Sequence, residues 1–360
     1  MKGLLSACLG VFSVMALSNA IVPVLPTYAP GTFIQGSIYS AYFLGAFFMT
    51  LPAGLISDRY GRVKVMQAGL LVTLASGLIL FFVSAPLLVI GTRLFEGFGA
   101  GLFVASSMAY INSLPDHERM SGYFMASLNT GLVLGLIFGG LLAQHIAIPA
   151  GGIALFTGVS ILPAVLCTFL AEPQHTGADQ DIKRLLVSLV TDYRWLWYSA
   201  IILIGITGVI PSLYPEFSDA APDQAGLWIS SMSVATIIAV IVVSHMKLPP
   251  VPTIRIAALF MAAGVILSFY APAGFLVIGA LAGVVMIAQM AILARVSDQQ
   301  GAAMGLFSTT SYLGMSLLPF LAGFIAETTT FFLAFCATAC AAVSVSLTIS
   351  RCTCRLPMRP

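Results

Sequence analysis

Twelve runs of about 20 apolar residues, each long enough to cross a hydrocarbon core roughly 30 Å thick, follow one another along this chain. They fall near residues 3–26, 36–57, 66–84, 87–112, 120–143, 150–171, 194–214, 225–244, 254–270, 273–294, 302–325 and 329–350. A soluble globule cannot hide so much apolar surface: only 8% of the residues are charged, against about 25% in ordinary soluble domains. The sequence therefore predicts an all-α integral membrane protein, because a helix satisfies every backbone polar group within its own span. With 360 residues for twelve spans the connections are short, and no extramembrane domain fits. The first run is too long for the core of a removed leader and lacks a small-residue cleavage site, so it is expected to be retained as span 1.

Orientation follows from where the positive residues fall, since Lys and Arg are held on the cytoplasmic side. An N-terminus inside puts Lys2, Arg59, Arg62, Lys64, Arg119, Lys183, Arg184, Arg194, Lys247, Arg255, Arg295, Arg351, Arg355 and Arg359 in the cytoplasm. Only Arg93, inside span 4, is left over. The opposite loops carry acids alone, Glu216, Asp219 and Asp223 between spans 7 and 8 and Glu327 between spans 11 and 12. A multi-pass protein of the cell membrane with both termini cytoplasmic is expected. The net charge of +2 includes no basic stripe of the kind that binds nucleic acid.

The longest polar stretch, Glu172 to Arg184, lies at the midpoint of the chain and reads as a linker. Shifting the sequence by 183 residues lays Gly122 on Gly305, Gly131 on Gly314, Gly140 on Gly323 and Ala105 on Ala288. At a shift of 188, "IVPVLP" of span 1 matches "VIPSLY" of span 7. Spans 4 and 5 thus echo spans 10 and 11. Duplicated membrane halves with a binding site near the midplane are the architecture of secondary transporters.

Three local motifs carry a resemblance. "GLISDRYGRVK" (Gly54–Lys64) resembles the loop 2–3 signature of the major facilitator superfamily, with Gly54, Asp58, Arg59, Gly61, Arg62 and Lys64 matching and Val63 where a second basic residue is common. "RLFEGFGAG" (Arg93–Gly101) is similar to that family's span 4 motif, with Glu96 where Gln is commoner. "GLVLGLIFGG" resembles the span 5 motif of its antiporters through Gly131, Gly135, Gly139 and Gly140, but Leu136 stands where Pro belongs. The second-half copy carries Pro319 at the equivalent place.

The resemblance implies the fold of that superfamily, in two pseudo-symmetric six-helix bundles, 1–171 and 194–360, joined by a cytoplasmic linker, 172–193. It implies alternating access of a small-molecule substrate, with protons as the coupling partner, no cofactor, no metal, and a monomer in the bilayer. Efflux by antiport, in the manner of the drug/proton antiporters, is the reading favoured by the span 5 motif and a cavity poor in polar groups. The alternatives are a proton-coupled uptake symporter or facilitator, a non-transporting sensor or assembly factor on the same scaffold, and a membrane-embedded enzyme. No P-loop, zinc motif or nucleophile elbow is present in the sequence, so ATP-driven pumping and hydrolysis have no support there.

In the loop 2–3 motif, Asp58 and Arg62 are four residues apart and pair if the helix continues through them. A carboxylate there also suits the positive N-terminus of another helix, and the resemblance implies the start of span 11, "QQGAAMG". Gly54 would permit close helix contact and Gly61 the turn. Such a latch forms only when the cytoplasmic side is shut, and so biases the two access states; the alternative is plain topology and capping. The second-half loop, "HMKLPPVPTIR", has lost the acid and both glycines.

Arg93 and Glu96 lie roughly 9 and 14 Å into span 4 from the outer side, counting 1.5 Å per residue. Spaced i, i+3, they share one helix face, and each lowers the free-energy cost of inserting the other. Glu96 is the one acid placed well within a span. A carboxylate that exchanges Arg93 for substrate or water can take up and release a proton, so Glu96 is the proton-coupling candidate; a permanent structural bridge is the alternative. In the resembling family spans 1, 4, 7 and 10 line the cavity. Asn19, Arg93 and Gln289 on these spans, with Asn129 of span 5, are the substrate-cavity candidates, each with interhelical hydrogen bonding as the alternative. Tyr42, Tyr110 and Tyr312 are further polar residues within spans. Pro23 and Pro26 of span 1, like Pro211 and Pro215 of span 7, either bend the outer helix ends or simply end them. Cys8, Cys167, Cys336 and Cys340 fall in spans, and Cys352 and Cys354 in the tail, where a reducing cytoplasm disfavours disulfides.

Overall fold

The computed structural model describes residues 2–114, 117–146, 148–172, 182–218, 220–246, 248–296 and 300–351. The core of the linker, Asp219, Lys247, and the tail with Cys352, Cys354, Arg355 and Arg359 lie outside the described residues. Among the described residues the regular structure is entirely helical, and twelve helices are long and apolar enough to cross a membrane. They are spans 1 to 12 in order: Gly3–Tyr28, Thr32–Tyr60, Arg62–Phe82, Pro86–Asn112, Arg119–His145, Gly151–Thr168, Arg194–Phe217, Pro222–Ser244, Pro250–Tyr270, Ala273–Leu293, Ala303–Thr328 and Phe331–Arg351. A short helix, Ile182–Asp192, precedes span 7. Large apolar side chains such as Phe48, Leu71, Phe82, Leu87 and Phe260 stay exposed, as on a protein solvated by lipid.

The spans begin and end where the sequence offers local reasons. Pro86, Pro222 and Pro250 open spans 4, 8 and 9, where a missing N–H leaves no helical bond unmade. Spans 2 and 3 are separated by Gly61 alone, whose φ of 107° lies in the region that favours glycine. Span 1 is not one continuous helix: it gives way after Ala20 to a 3-10 turn, Val22–Val24, and a short helix, Leu25–Tyr28. Pro23 and Pro26 sit at this break. Their counterparts Pro211 and Pro215 lie inside the unbroken helix of span 7, so the two proline pairs act differently.

The chain divides into two compact units, Met1–Ala178 with Pro211–Ser230, and Asp179–Ile210 with Ser231–Pro360. In the first unit, span 5 packs on span 1 through a row of glycines. A Cβ at Gly131, Gly135 or Gly139 would strike the carbonyl of Phe12, Ala16 or Ala20 respectively. Both rows advance by four residues, so the ridge of one helix lies along the groove of the other. Likewise, Cβ atoms at Gly97 and Gly101 would strike the backbone of Tyr42 and Ala46, and one at Gly99 that of Gly69, seating span 4 on spans 2 and 3.

The second unit repeats the scheme within itself. A Cβ at Gly314 would strike the Ile201 carbonyl, joining spans 11 and 7 as Gly131 joins 5 and 1. Those at Gly279 and Gly283 would meet Met232 and Thr236, joining spans 10 and 8 as Gly97 and Gly101 join 4 and 2. At Gly131 and Gly314 the sequence repeat is thus a repeat of packing, whereas Gly97 and Gly101 correspond in packing to Gly279 and Gly283, at a shift of 182.

The end of span 7 and the start of span 8 belong to the first unit for equally specific reasons. Gln35 is buried and its Nε2 donates to Glu216 Oε2 at 2.6 Å and to the Ala29 carbonyl at 2.9 Å. A Cβ at Gly140 would strike the Pro222 carbonyl, one at Gly226 that of Leu136, and His145 Nε2 lies 3.7 Å from Asp223 Oδ2.

Candidate functional site

The glycine contacts that seat span 4 also position its charged pair. Arg93 and Glu96 are 1% and 0% exposed, and Arg93 Nη1 lies 2.7 Å from Glu96 Oε2. Arg93 Nη2 donates to the Ser18 carbonyl of span 1 at 3.1 Å. Its Cζ lies 4.7 Å from the centroid of the Tyr42 ring of span 2, a cation–π contact whose worth grows as water is excluded. Two atoms are left over: Arg93 Nε and Glu96 Oε1 are buried with no hydrogen-bond partner among the described residues. The carboxylate therefore has one oxygen committed to Arg93 and one able to receive a proton or a donor.

The other cavity candidates are engaged separately. Asn19 Nδ2 donates to the Leu132 carbonyl at 3.1 Å, tying span 1 to span 5. Asn129 Nδ2 donates to the Met125 carbonyl of its own helix at 2.8 Å. Gln289, in the second unit, is buried, and its Nε2 donates to Ser199 Oγ of span 7 at 2.9 Å, while its Oε1 has no partner among the described residues. Asn19 follows Ser18 directly, but its amide bonds to span 5. Tyr42 is the residue whose part in the site the sequence reading missed. Its ring meets Arg93 only because Gly97 lets the two backbones approach, a contact between spans that no local spacing reveals.

At the end of span 2, the helix does not continue through Arg62, because Gly61 turns the chain. Arg62 Nη2 nevertheless reaches Asp58 Oδ1 at 3.4 Å, with the Asp58 side chain 62% exposed; at that exposure the pair contributes about 1 kcal/mol or less. Arg59 lies over the Tyr60 ring, and Lys64 is exposed. Gly54 faces open space, since a Cβ there would meet nothing within 4 Å. The residue expected to begin the partner segment of span 11, Gln299, lies outside the described residues, as do the side chains of Gln300, Gly301 and Ala302.

The loop has a partner of another kind. Glu172, just past span 6, accepts from the backbone N–H of Arg62 and, at 3.1 Å, from that of Val63. A carboxylate at a helix N-terminus satisfies free donors and opposes the positive end of the dipole. A Cβ at Gly61 would press on the same carboxyl group, so the glycine serves this contact as well as the turn. Glu172→Ala is expected to destabilise the protein by about 0.5–2 kcal/mol, the range for losing a capping side chain. A melting curve of the purified variant measures it.

Twelve apolar helices, a packing scheme used twice and an ion pair buried within one span define a polytopic protein of the transporter class. The chain belongs to the Major Facilitator Superfamily, whose family model matches residues 7–220. It is 26% identical over 337 residues to "Multidrug resistance protein 2" of Bacillus subtilis (strain 168), covering 85% of this chain and 84% of that one. It is 31% identical over 135 residues, 36% of this chain and 33% of the relative, to the "Multi-drug resistance efflux pump PmrA homolog" of Lactococcus lactis subsp. lactis (strain IL1403). Among solved structures, a bacterial homologue of the human lysosomal transporter Spinster, crystallised in an inward-facing and occupied conformation, superposes with a TM-score of 0.80 at 12% identity, covering 100% of this chain and 97% of that one. That likeness concerns the fold.

Proposed function

We propose that this protein is a proton-coupled secondary transporter that exports small, partly apolar molecules across the cell membrane by alternating access. The observation that carries the reading is the Arg93–Glu96 pair, a carboxylate fully buried in a span with one oxygen still free of any partner among the described residues. Intramembrane ionisable groups of this sort mark ion and proton paths. The names of relatives that are multidrug resistance proteins and an efflux pump support the outward direction. In this reading both termini are cytoplasmic, the chain acts as a monomer, and two six-helix halves flank the linker, which the packing repeated between spans 1, 5 and spans 7, 11 supports.

The test is the direction of proton-driven movement. Inverted membrane vesicles carrying the protein, acidified inside, should accumulate fluorescent drug-like probes, and a protonophore should collapse the gradient of probe. Accumulation in right-side-out vesicles with the proton gradient directed inward would replace export with uptake.

The hairpin between spans 2 and 3 acts, on this reading, as a conformational latch built from Gly54, Asp58, Arg59, Gly61 and Arg62. The exposed Asp58 carboxylate contributes little to folding through Arg62, which leaves it free to act in another access state. Asp58→Asn is expected to lower transport about fivefold or more, the lower end of ordinary coupling energies, and to increase cysteine labelling from the cytoplasmic side. Its melting temperature should hardly move. Unaltered transport would reduce the motif to topology and capping.

A further inference from the structure

We propose that the end of the membrane formed by the start of span 7 and the end of span 12 binds the phosphate headgroup of an anionic phospholipid between Arg194 and Arg351. The two guanidinium groups share one ring: Arg194 Cζ lies 5.6 Å and Arg351 Cζ 5.7 Å from the centroid of Trp195. Two like charges gathered on one indole repel each other, and the ring's quadrupole offsets that only in part. Among the described residues neither arginine has a carboxylate within ion-pair distance, and Asp192, close by in sequence, forms no such pair. Both arginines are exposed. The arrangement is a doubly cationic site that suits an anion.

The placement is fixed rather than accidental. Tyr198 Oη and Ser344 Oγ lie 2.6 Å apart, which pins span 7 to span 12 about one turn from Arg194 and about two from Arg351. Trp195 stacks edge-on against Tyr198 at 6.3 Å. On the other side, Trp197 Nε1 donates to the Leu189 carbonyl at 2.8 Å, holding the helix Ile182–Asp192 against the start of span 7. These contacts all lie within the second unit.

The depth chooses the source of the anion. Arg194 is the first residue of span 7 and Arg351 the last of span 12, so both sit where hydrocarbon gives way to the phosphate layer. Trp and Tyr gather at that level, and basic pockets between spans on the cytoplasmic side take anionic headgroups. On the neighbouring helix Leu189 is buried, while Val187 and Val190 are exposed. In the orientation proposed above the leaflet is the cytoplasmic one, but the site itself does not depend on the direction or the substrate of transport.

The test is native mass spectrometry of the full chain released from mixed micelles of phosphatidylglycerol and phosphatidylcholine, with melting temperature in nanodiscs of the same lipids as a second readout. At about fivefold per cation near a charged surface, the preference for phosphatidylglycerol should fall about thirtyfold in Arg194→Gln/Arg351→Gln. Arg194→Lys/Arg351→Lys, which keeps the charges, should retain most of it. If the arginines only brace the fold, the Gln variant will melt lower in both lipids and keep the wild-type preference, which overturns the proposal. If millimolar inorganic phosphate stabilises the wild type as much as phosphatidylglycerol does, the site serves a soluble anion and the lipid assignment fails. Should the double Gln variant not fold, Arg351→Gln alone, at a helix end, should still lower the preference about fivefold; no change there overturns the proposal equally.

Discussion

Replacing Arg93 with Met is expected to destabilise the protein by about 3–5 kcal/mol, because it leaves the Glu96 carboxylate buried with no opposite charge. The wild-type geometry gives that carboxylate one strong partner, at 2.7 Å, and nothing for its second oxygen among the described residues. Glu96→Gln should also destabilise the fold, since it leaves Arg93 a buried cation that cannot lose its proton, eased but not neutralised by the Ser18 carbonyl and the Tyr42 ring. It should reduce proton-driven accumulation to the passive level while substrate binding survives, as expected of a variant fixed in a neutral state. The double variant Arg93→Met/Glu96→Gln removes both charges and should recover most of the lost melting temperature, because a buried pair replaced together is often neutral. Coupled flux then separates the two readings of the pair: a folded double variant that still pumps would remove Glu96 from proton coupling and leave it a structural bridge.

What was legible in the sequence follows from what is local. The twelve spans could be read because each is a self-contained run whose length is set by the bilayer. The pairing of Arg93 with Glu96 could be read because helical spacing alone brings i and i+3 together. The turn at Gly61 belongs to the same kind. What lies beyond depends on which helices touch. Glu172 reaches the start of span 3 across more than a hundred residues, and the sequence marks it only as the first polar residue of a linker. Asn19 was legible as a polar group in span 1, but its bond to the Leu132 carbonyl is decided by the glycine row of span 5. The equivalence of the two proline pairs failed for a similar reason: span 1 breaks after Ala20, whereas Pro211 and Pro215 are absorbed by a continuous helix. The attachment of the end of span 7 and the start of span 8 to the first unit rests on Gln35, Gly140 and Gly226; Gly140 belongs to the span 5 motif, but no local spacing reveals the partner it meets.

Gly135→Val should be among the most damaging single changes in the chain, although it adds only apolar atoms to an apolar span. Its Cβ would strike the Ala16 carbonyl, a backbone atom that cannot rotate aside, and the flanking contacts of Gly131 with Phe12 and Gly139 with Ala20 hold both helices in register. Overpacking of a side chain usually costs about 1–3 kcal/mol and occasionally more; with backbone on the receiving side the upper part of that range or beyond is expected. Separation of spans 1 and 5 would also pull Asn19 from Leu132 and shift Ser18, the backbone acceptor of Arg93, so that coupled transport should fall together with stability. Gly54→Ala supplies the contrast, since it belongs to a motif of the same family but faces open space. Its melting temperature should match the wild type, because the added methyl meets no atom and Ala is a better helix former than Gly. Equal melting temperatures for Gly135→Val and Gly54→Ala would show that the span 5 row does not hold the first unit together.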